Sequence, residues 1–162
     1  MNAIGIHVRW MIRQDIPEVL AVESACPHPW GEQDLLTTLW RREVIGMVAE
    51  REDRVLGFMV YALRRTSLDL LRFAVHPDYR RRQVGSEMLH RMGSKLSSHR
   101  RNCILTVVRE SDLGLQLFLK YHGFKAVRVL RRYFGDEDGY RMVFSLEELL
   151  PHNRITEYLE VE

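Results

Sequence analysis

The segment from Leu71 to Leu89, LRFAVHPDYRRRQVGSEML, limits this chain more than any other. Leu68, Leu70, Leu71, Phe73 and Val75 form a dense apolar run of strand length. Pro77 ends it, because proline has no N–H to give a ladder. Arg80, Arg81 and Arg82 follow, then Gln83, Val84, Gly85 and Ser86. Beyond them Met88, Leu89 and Met92 recur at helical spacing. A strand therefore feeds an arginine-rich turn, and the turn opens a helix. The start of a helix offers backbone N–H groups and the positive end of the dipole, an anion site. Three arginines beside it point to a phosphate-bearing ligand. The plain alternative is a solvated basic turn before an ordinary helix.

The rest of the chain alternates in the same way. Val8 to Arg13 reads as a strand, and Asp15-Ile16-Pro17-Glu18 as a helix start with Asp15 as N-cap. Ile16, Val19, Leu20 and Val22 give that helix an apolar face. Pro27 and Pro29 break it. A second helix is expected from about Gln33 to Arg42, with Leu35, Leu36, Leu39 and Trp40 toward the core. Ile45 to Glu50 and Val55 to Leu63 should form a hairpin around the polar turn Arg51 to Arg54. A long helix from about Val84 to Ser98 leads to a strand from Ile104 to Val108. Another helix spans about Asp112 to His122, with Gly123 as its C-terminal cap. Strands near Lys125 to Arg132 and Tyr140 to Leu146 close the pattern. Such an order implies a mixed sheet with helices on both faces.

A length of 162 residues sets one domain with a substantial core. The net charge of +2 argues against a nucleic-acid binder by composition. The charge is uneven, however: Arg80 to Arg101 holds six Arg and one Lys against one Glu. Phosphates of a small ligand and a solvated helix face account for that stretch more simply than nucleic acid does. Cys26 and Cys103 lack metal-ligand spacing, and Cys103 is expected to pack as a small hydrophobe. No apolar stretch approaches the ~20 residues that span a bilayer. No secretory signal pattern opens the sequence. The expected location is the cytoplasm, with no membrane partner and a monomer or homodimer as the assembly.

AVHPDYRRRQVGS resembles the acetyl-CoA pyrophosphate loop of the GNAT acetyltransferases, V-x-P-x-Y/W-R followed by Q/R-x-x-G-x-G/A. Further likenesses follow in order: Ile104 to Arg109, Ser111-Asp112, Tyr121-His122-Gly123-Phe124, and Arg131 to Phe134 with Gly139 to Met142. Pro29-Trp30-Gly31-Glu32 resembles an upstream P-W-S/T-E element. Together they are most similar to the RimI-type N-terminal acetyltransferases, over about residues 7 to 148. The resemblance implies a GNAT fold of the α/β (α+β) class. Its mixed, mostly antiparallel sheet would have about seven strands, with helices on both faces. It implies a domain over residues 1–148 and a tail over 149–162. It also implies acetyl-CoA as co-substrate, held by Phe73, Ala74, Val75, Arg80, Arg81, Arg82, Gln83, Val84, Gly85, Ser86 and Asp112. No metal is implied.

Four positions depart from the family pattern. Gln83 replaces the loop's first glycine, and Asp112 replaces an asparagine that contacts the cofactor. Val107 stands where RimI-type enzymes carry a glutamate general base, and Leu119 where they carry a tyrosine general acid. By the resemblance, the Val75 backbone N–H polarises the thioester carbonyl as an oxyanion donor. Trp30, Tyr61 and Tyr133 are the candidate acceptor residues, with Tyr133 also the candidate catalytic hydroxyl. Trp30 as a staple between helix and sheet, and Tyr133 as a packed aromatic, are the structural alternatives. His76 reads as a turn residue, and His28 as a neighbour of the acceptor entrance.

Three functions remain open at this stage. One is an acetyltransferase whose acceptor is a protein N-terminal α-amino group. Another is a catalytically degenerate acyl-CoA-binding or interaction protein. The third is an acetyltransferase for a small amine, with Glu23, Glu32 and Asp69 as contributors to an acidic pocket.

Overall fold

The computed structural model describes residues 5–146. Its strands and helices run in the order β1 (His7–Trp10), α1 (Ile16–Ser24), α2 (Glu32–Leu39), β2 (Val44–Arg51), β3 (Arg54–Leu63), β4 (Ser67–Val75), α3 (Val84–Gly93), β5 (Cys103–Arg109), α4 (Leu113–Tyr121), β6 (Lys125–Leu130) and β7 (Gly139–Ser145). Seven strands make one sheet in the order β1-β2-β3-β4-β5-β7-β6. The pairs β1/β2, β2/β3, β5/β7 and β6/β7 are antiparallel. The mixed α/β class expected from the sequence is the observed one. The chain divides into two compact units. The first runs through Leu63 and resumes over Leu70–Lys95; the second takes Arg64–Asp69 and the chain from Leu96 onward.

In the first unit β3 is the central strand, and its residues from Val55 to Ala62 are all buried. Its alternation serves two layers. Phe58, Val60 and Ala62 join Val19 and Val22 of α1 and Leu35 of α2 in one core cluster. Gly57 points to the other face: a Cβ there would lie 3.1 Å from Met88 Cε and 3.3 Å from Val84 Cγ1, both on α3. The same Cβ would lie 2.8 Å from the Ala74 carbonyl oxygen, so this position needs a glycine for close packing. The β2/β3 hairpin turns at Glu52 and Asp53, at φ 52° and 61°. Two successive left-handed residues form the tight turn that matches strand twist.

In the second unit β7 lies between β5 and β6. Asp112 caps α4, its carboxylate accepting the Leu115 N–H at 3.1 Å. Gly123 ends that helix at φ 93°, where a left-handed residue is required. Leu119 and Phe124 are buried, and Cys103 is fully buried within β5.

Several expectations need correcting. The first strand stops at Trp10, and a 3-10 turn over Arg13–Asp15 precedes α1. The Asp15 side chain serves that turn, accepting the Ile12 N–H at 2.7 Å and both guanidinium arms of Arg9. It therefore makes no cap bond to α1. Helix α2 ends at Leu39, and Trp40 is 82% exposed. Leu35 and Leu39 share one helix row facing inward, and Trp40 falls one step, about 100°, beyond it. Helix α3 ends at Gly93 rather than Ser98. Ser94 closes it by donating its hydroxyl to the Arg91 carbonyl at 2.6 Å. The expected tail over 149–162 lies outside the described residues.

Candidate functional site

The strand-to-helix connection after β4 belongs to the first unit. The His76 N–H bonds the Leu56 carbonyl of β3 at 2.8 Å. Successive backbone groups of a strand point to opposite sides, so the N–H and C=O of Val75 are directed away from β3. Arg80 reaches back along that side, its Nε donating to the Val75 carbonyl at 3.3 Å. A 3-10 turn over Pro77–Tyr79 intervenes, capped by His76, whose Nδ1 accepts the Asp78 N–H at 3.1 Å. His76 is thus the turn residue that its position before Pro77 implied.

The turn then enters the helix through two left-handed residues, Arg81 at φ 59° and Gln83 at φ 67°. Gln83 is the N-cap of α3, and its side chain makes no cap bond. Its carbonyl accepts the Glu87 N–H at 3.0 Å, the first bond of the helix. The left-handed backbone explains why the resembling motif prefers glycine at this position. Val84, Gly85, Met88, Leu89 and Met92 are buried, which fixes the helix against the sheet. An α-helix supplies no intrahelical carbonyl to the N–H groups of its first turn. Arg80, Arg81, Arg82 and Gln83 are all exposed. Tyr79 carries two cations on its ring, Arg51 at 5.8 Å and Arg82 at 5.9 Å from the centroid.

The second unit holds the positions where an acid and a base are expected. Val107, on β5, and Tyr133, in the β6/β7 connection, converge over Gly139. A Cβ on that glycine would lie 2.6 Å from Val107 Cγ1 and 3.2 Å from both Tyr133 Cβ and Phe134 Cε2. Tyr133 is 53% exposed and packs edge-on against Phe134, centroids 4.9 Å apart. Phe134 in turn lies under the Arg109 guanidinium at 4.2 Å. Leu119 is wholly buried and offers no group to a reaction. Asp112 spends its carboxylate on the α4 cap.

A polar brace beside Tyr133 had no clear signature in the sequence. Arg109 donates to Glu137 Oε1 at 2.7 Å, and the Ser111 N–H donates to Glu137 Oε2 at 3.2 Å. The Arg109 guanidinium holds the Glu137 carboxyl below the usual range. Asp138 takes the Arg132 N–H at 2.7 Å and Arg131 at 3.1 Å. The acidic run Asp136-Glu137-Asp138, a few residues after Arg131 and Arg132, was the available signal.

The acceptor candidates separate. Tyr61 is fully buried beneath α3, its hydroxyl 3.6 Å from Met47 Sδ. The structure therefore places this candidate acceptor residue in the core, with no solvent-facing atom. The strand alternation that buries Met59 on the α3 side buries Tyr61 with it. Desolvation pushes its phenol up to about 12. Trp30 is half-buried, packed against the first unit's core and under the Arg72 guanidinium. His28 is exposed at φ 54°. Glu23 and Asp69, offered as parts of an acidic pocket, are already paired with Arg72 and Arg64. Among the described residues no three His, Cys, Asp or Glu side chains gather as metal ligands, and no helix is long and apolar enough to cross a membrane.

A family model described as an acetyltransferase (GNAT) domain matches residues 42–126. The chain is 23% identical over 141 residues to the ribosomal protein bS18-alanine N-acetyltransferase of Salmonella typhimurium strain LT2, covering 86% of this chain and 92% of that one. The crystal structure of the ribosomal-protein-S18-alanine N-acetyltransferase from Escherichia coli is similar at a TM-score of 0.77 and 19% identity, over 91% of this chain and 97% of that one. Ard1 from Thermoplasma volcanium is similar at a TM-score of 0.78 and 24% identity, over 89% and 99%.

Proposed function

Because the chain belongs to the GNAT family of acetyltransferases, we propose that it transfers the acetyl group of acetyl-CoA to an amine, the α-amino group of a protein N-terminus. The observation that carries the cofactor half is the entry into α3. Left-handed Arg81 and Gln83 lead the chain into the helix with exposed Arg80, Arg81 and Arg82 beside its first turn. The backbone N–H groups from Arg81 to Ser86 bind the pyrophosphate. Phe73, Ala74 and Val75 receive the pantetheine arm along the edge of β4. The Val75 N–H, directed away from β3, polarises the thioester carbonyl. One domain over residues 1–148 does this work, in the cytoplasm, where the thiols of Cys26 and Cys103 stay reduced.

Chemistry at the acceptor then rests on orientation. Holding an amine against a thioester makes a bimolecular step effectively intramolecular. An α-amino group has an ordinary pKa of about 7.7 to 8.0, so much of it is free amine at mildly alkaline pH. A lysine amine, near 10.4, is not. Val107 and Leu119 supply no proton acceptor or donor, which favours N-termini over lysines. The exposed Tyr133 hydroxyl supports the acceptor. The test is calorimetric titration with CoA and acetyl-CoA, followed by mass spectrometry of peptides, polyamines and aminoglycosides offered as acceptors. Arg80→Glu with Arg81→Glu should weaken cofactor binding roughly tenfold or more, the scale of a charged hydrogen bond. Binding that ignores both substitutions overturns the cofactor site.

The degenerate reading has a specific observation of its own. Val107 is apolar and Leu119 is fully buried, at the two positions where the family carries its base and acid. An acyl-CoA-binding protein without transfer would bind the cofactor in the titration and acetylate nothing in the acceptor panel.

A further inference from the structure

The connection between α1 and α2 is held by one side chain. Arg72, on β4, donates to Glu23 Oε1 at the end of α1 and to the His28 carbonyl at 3.4 Å. Its guanidinium also lies over the Trp30 ring, 5.6 Å from the centroid. Glu23 completes the arrangement by accepting the Trp30 N–H at 2.8 Å on the same oxygen. Thus Glu23, His28 and Trp30 are gathered on a single cation, and all belong to the first unit.

This is a costly arrangement for a stretch of seven residues. Glu23 is 1% exposed, and an ion pair taken out of water repays its desolvation only with good geometry. Two of its atoms, Glu23 Oε2 and Arg72 Nε, are buried without a protein partner. An apolar pair of similar volume would hold α1 to β4 at less cost. What an apolar pair would not do is fix a backbone carbonyl and an indole at set directions. His28 sits at φ 54°, between Pro27 and Pro29, in a conformation that a non-glycine residue holds only when its surroundings determine it. The Arg72 bond to its carbonyl is such a determinant.

We infer that Arg72, through Glu23, is a positioning residue that sets the Cys26–Trp30 segment for the acceptor and so fixes which N-termini are accepted. The acceptor half rests on the transferase reading above and on Trp30 as its candidate acceptor residue. The clamp half rests on the contacts alone.

The test uses the full chain with Trp10→Phe and Trp40→Phe, so that Trp30 is the remaining indole; both replaced residues are exposed, at 67% and 82%. In that background Arg72→Met and Glu23→Gln are made separately, so that a failure of either to fold leaves the other to read. Acrylamide quenching of Trp30 emission should rise in each. Acetyl-CoA titration should match the parent. In a panel of N-terminal peptides the acceptor KM should rise about tenfold or more while kcat changes by less than about threefold, the signature of lost binding rather than lost chemistry. Unchanged quenching overturns the clamp. Increased quenching with an unchanged acceptor KM overturns the link to specificity. A parent that acetylates no peptide overturns the N-terminal acceptor and with it the link to specificity, and the quenching result then still decides the clamp.

Discussion

Val107 and Tyr133 meet over Gly139: a Cβ placed on that glycine would lie 2.6 Å from Val107 Cγ1 and 3.2 Å from Tyr133 Cβ. A residue with no side chain thus leaves room for the Val107 methyl on β5 and the Tyr133 Cβ to approach one backbone. A carboxylate at position 107 would stand where the resemblance puts the general base. Val107→Glu is expected to raise the acetylation rate at pH 7 and move the rising limb of the pH–rate profile downward, because a base then takes the ammonium proton. Val107→Gln should leave the limb at the acceptor's own pKa. A parent enzyme already at full rate well below pH 7 would show that another group is the base.

Gln83 pays for its left-handed backbone. For a residue with a Cβ, that region costs about 1–2 kcal/mol. Gln83→Gly should therefore raise stability by up to about 1 kcal/mol in urea unfolding, less the extra chain entropy of glycine in the unfolded state. Acetyl-CoA should bind as tightly or more tightly, because the backbone conformation is kept and a side chain is removed from the anion site. Clearly weaker binding would mean that the Gln83 amide itself donates to the phosphate.

Tyr61→Phe separates packing from recognition. The hydroxyl has a weak sulfur acceptor, so its loss should cost under about 1 kcal/mol near neutrality and leave the acceptor KM unchanged. Burial raises the phenol to about 12. A raised value means that its share of stability is complete below the unfolded value of about 10 and is lost as pH rises through the folded one. The variant should lack that alkaline decline in thermal melts. A large change in acceptor KM would restore Tyr61 to the acceptor site.

Asp15→Asn probes the acid limb. The forked Arg9 contact, chiefly its side-chain hydrogen bonds, holds the Asp15 carboxyl below its ordinary value. A lowered value gives stability that is present above the unfolded pKa of about 3.9 and is lost as pH falls through the folded one. The variant should be less stable at pH 7 by about 1–3 kcal/mol, the scale of a charged hydrogen bond. Its melts should decline less steeply between pH 4 and 2. Equal slopes would place the acid sensitivity elsewhere.

Tyr133→Phe should lower the rate constant for transfer if the hydroxyl supports the acceptor, with unfolding in urea unchanged because the phenol is half-exposed. A rate equal to the parent's would leave Tyr133 as a packing partner of Phe134.

The order of strands and helices was legible along the chain because local signals are strong there. Pro77 stops β4, Asp112 and Gly123 bracket α4, and the apolar run of β3 announces a strand covered on both sides. The arginine turn before Val84 was legible for the same reason: strand end, turn and helix start are contiguous. What failed was direction and length at element ends. Trp40 lies one step past an inward row, α3 stops where Ser94 bonds back to Arg91, and Asp15 serves the turn before its helix. Each depends on a bond or a rotation of a single residue, to which hydrophobic spacing is blind. The site residues divide in the same way. The resemblance to the family pattern marked Val107, Leu119 and Gln83 as departures. Only the tertiary structure buried Tyr61 under α3, brought Val107 to Tyr133 over Gly139, and gathered Glu23, His28 and Trp30 on Arg72. These relationships join residues 26 to 49 positions apart, or turn on which face of a strand a side chain takes, and packing alone decides both.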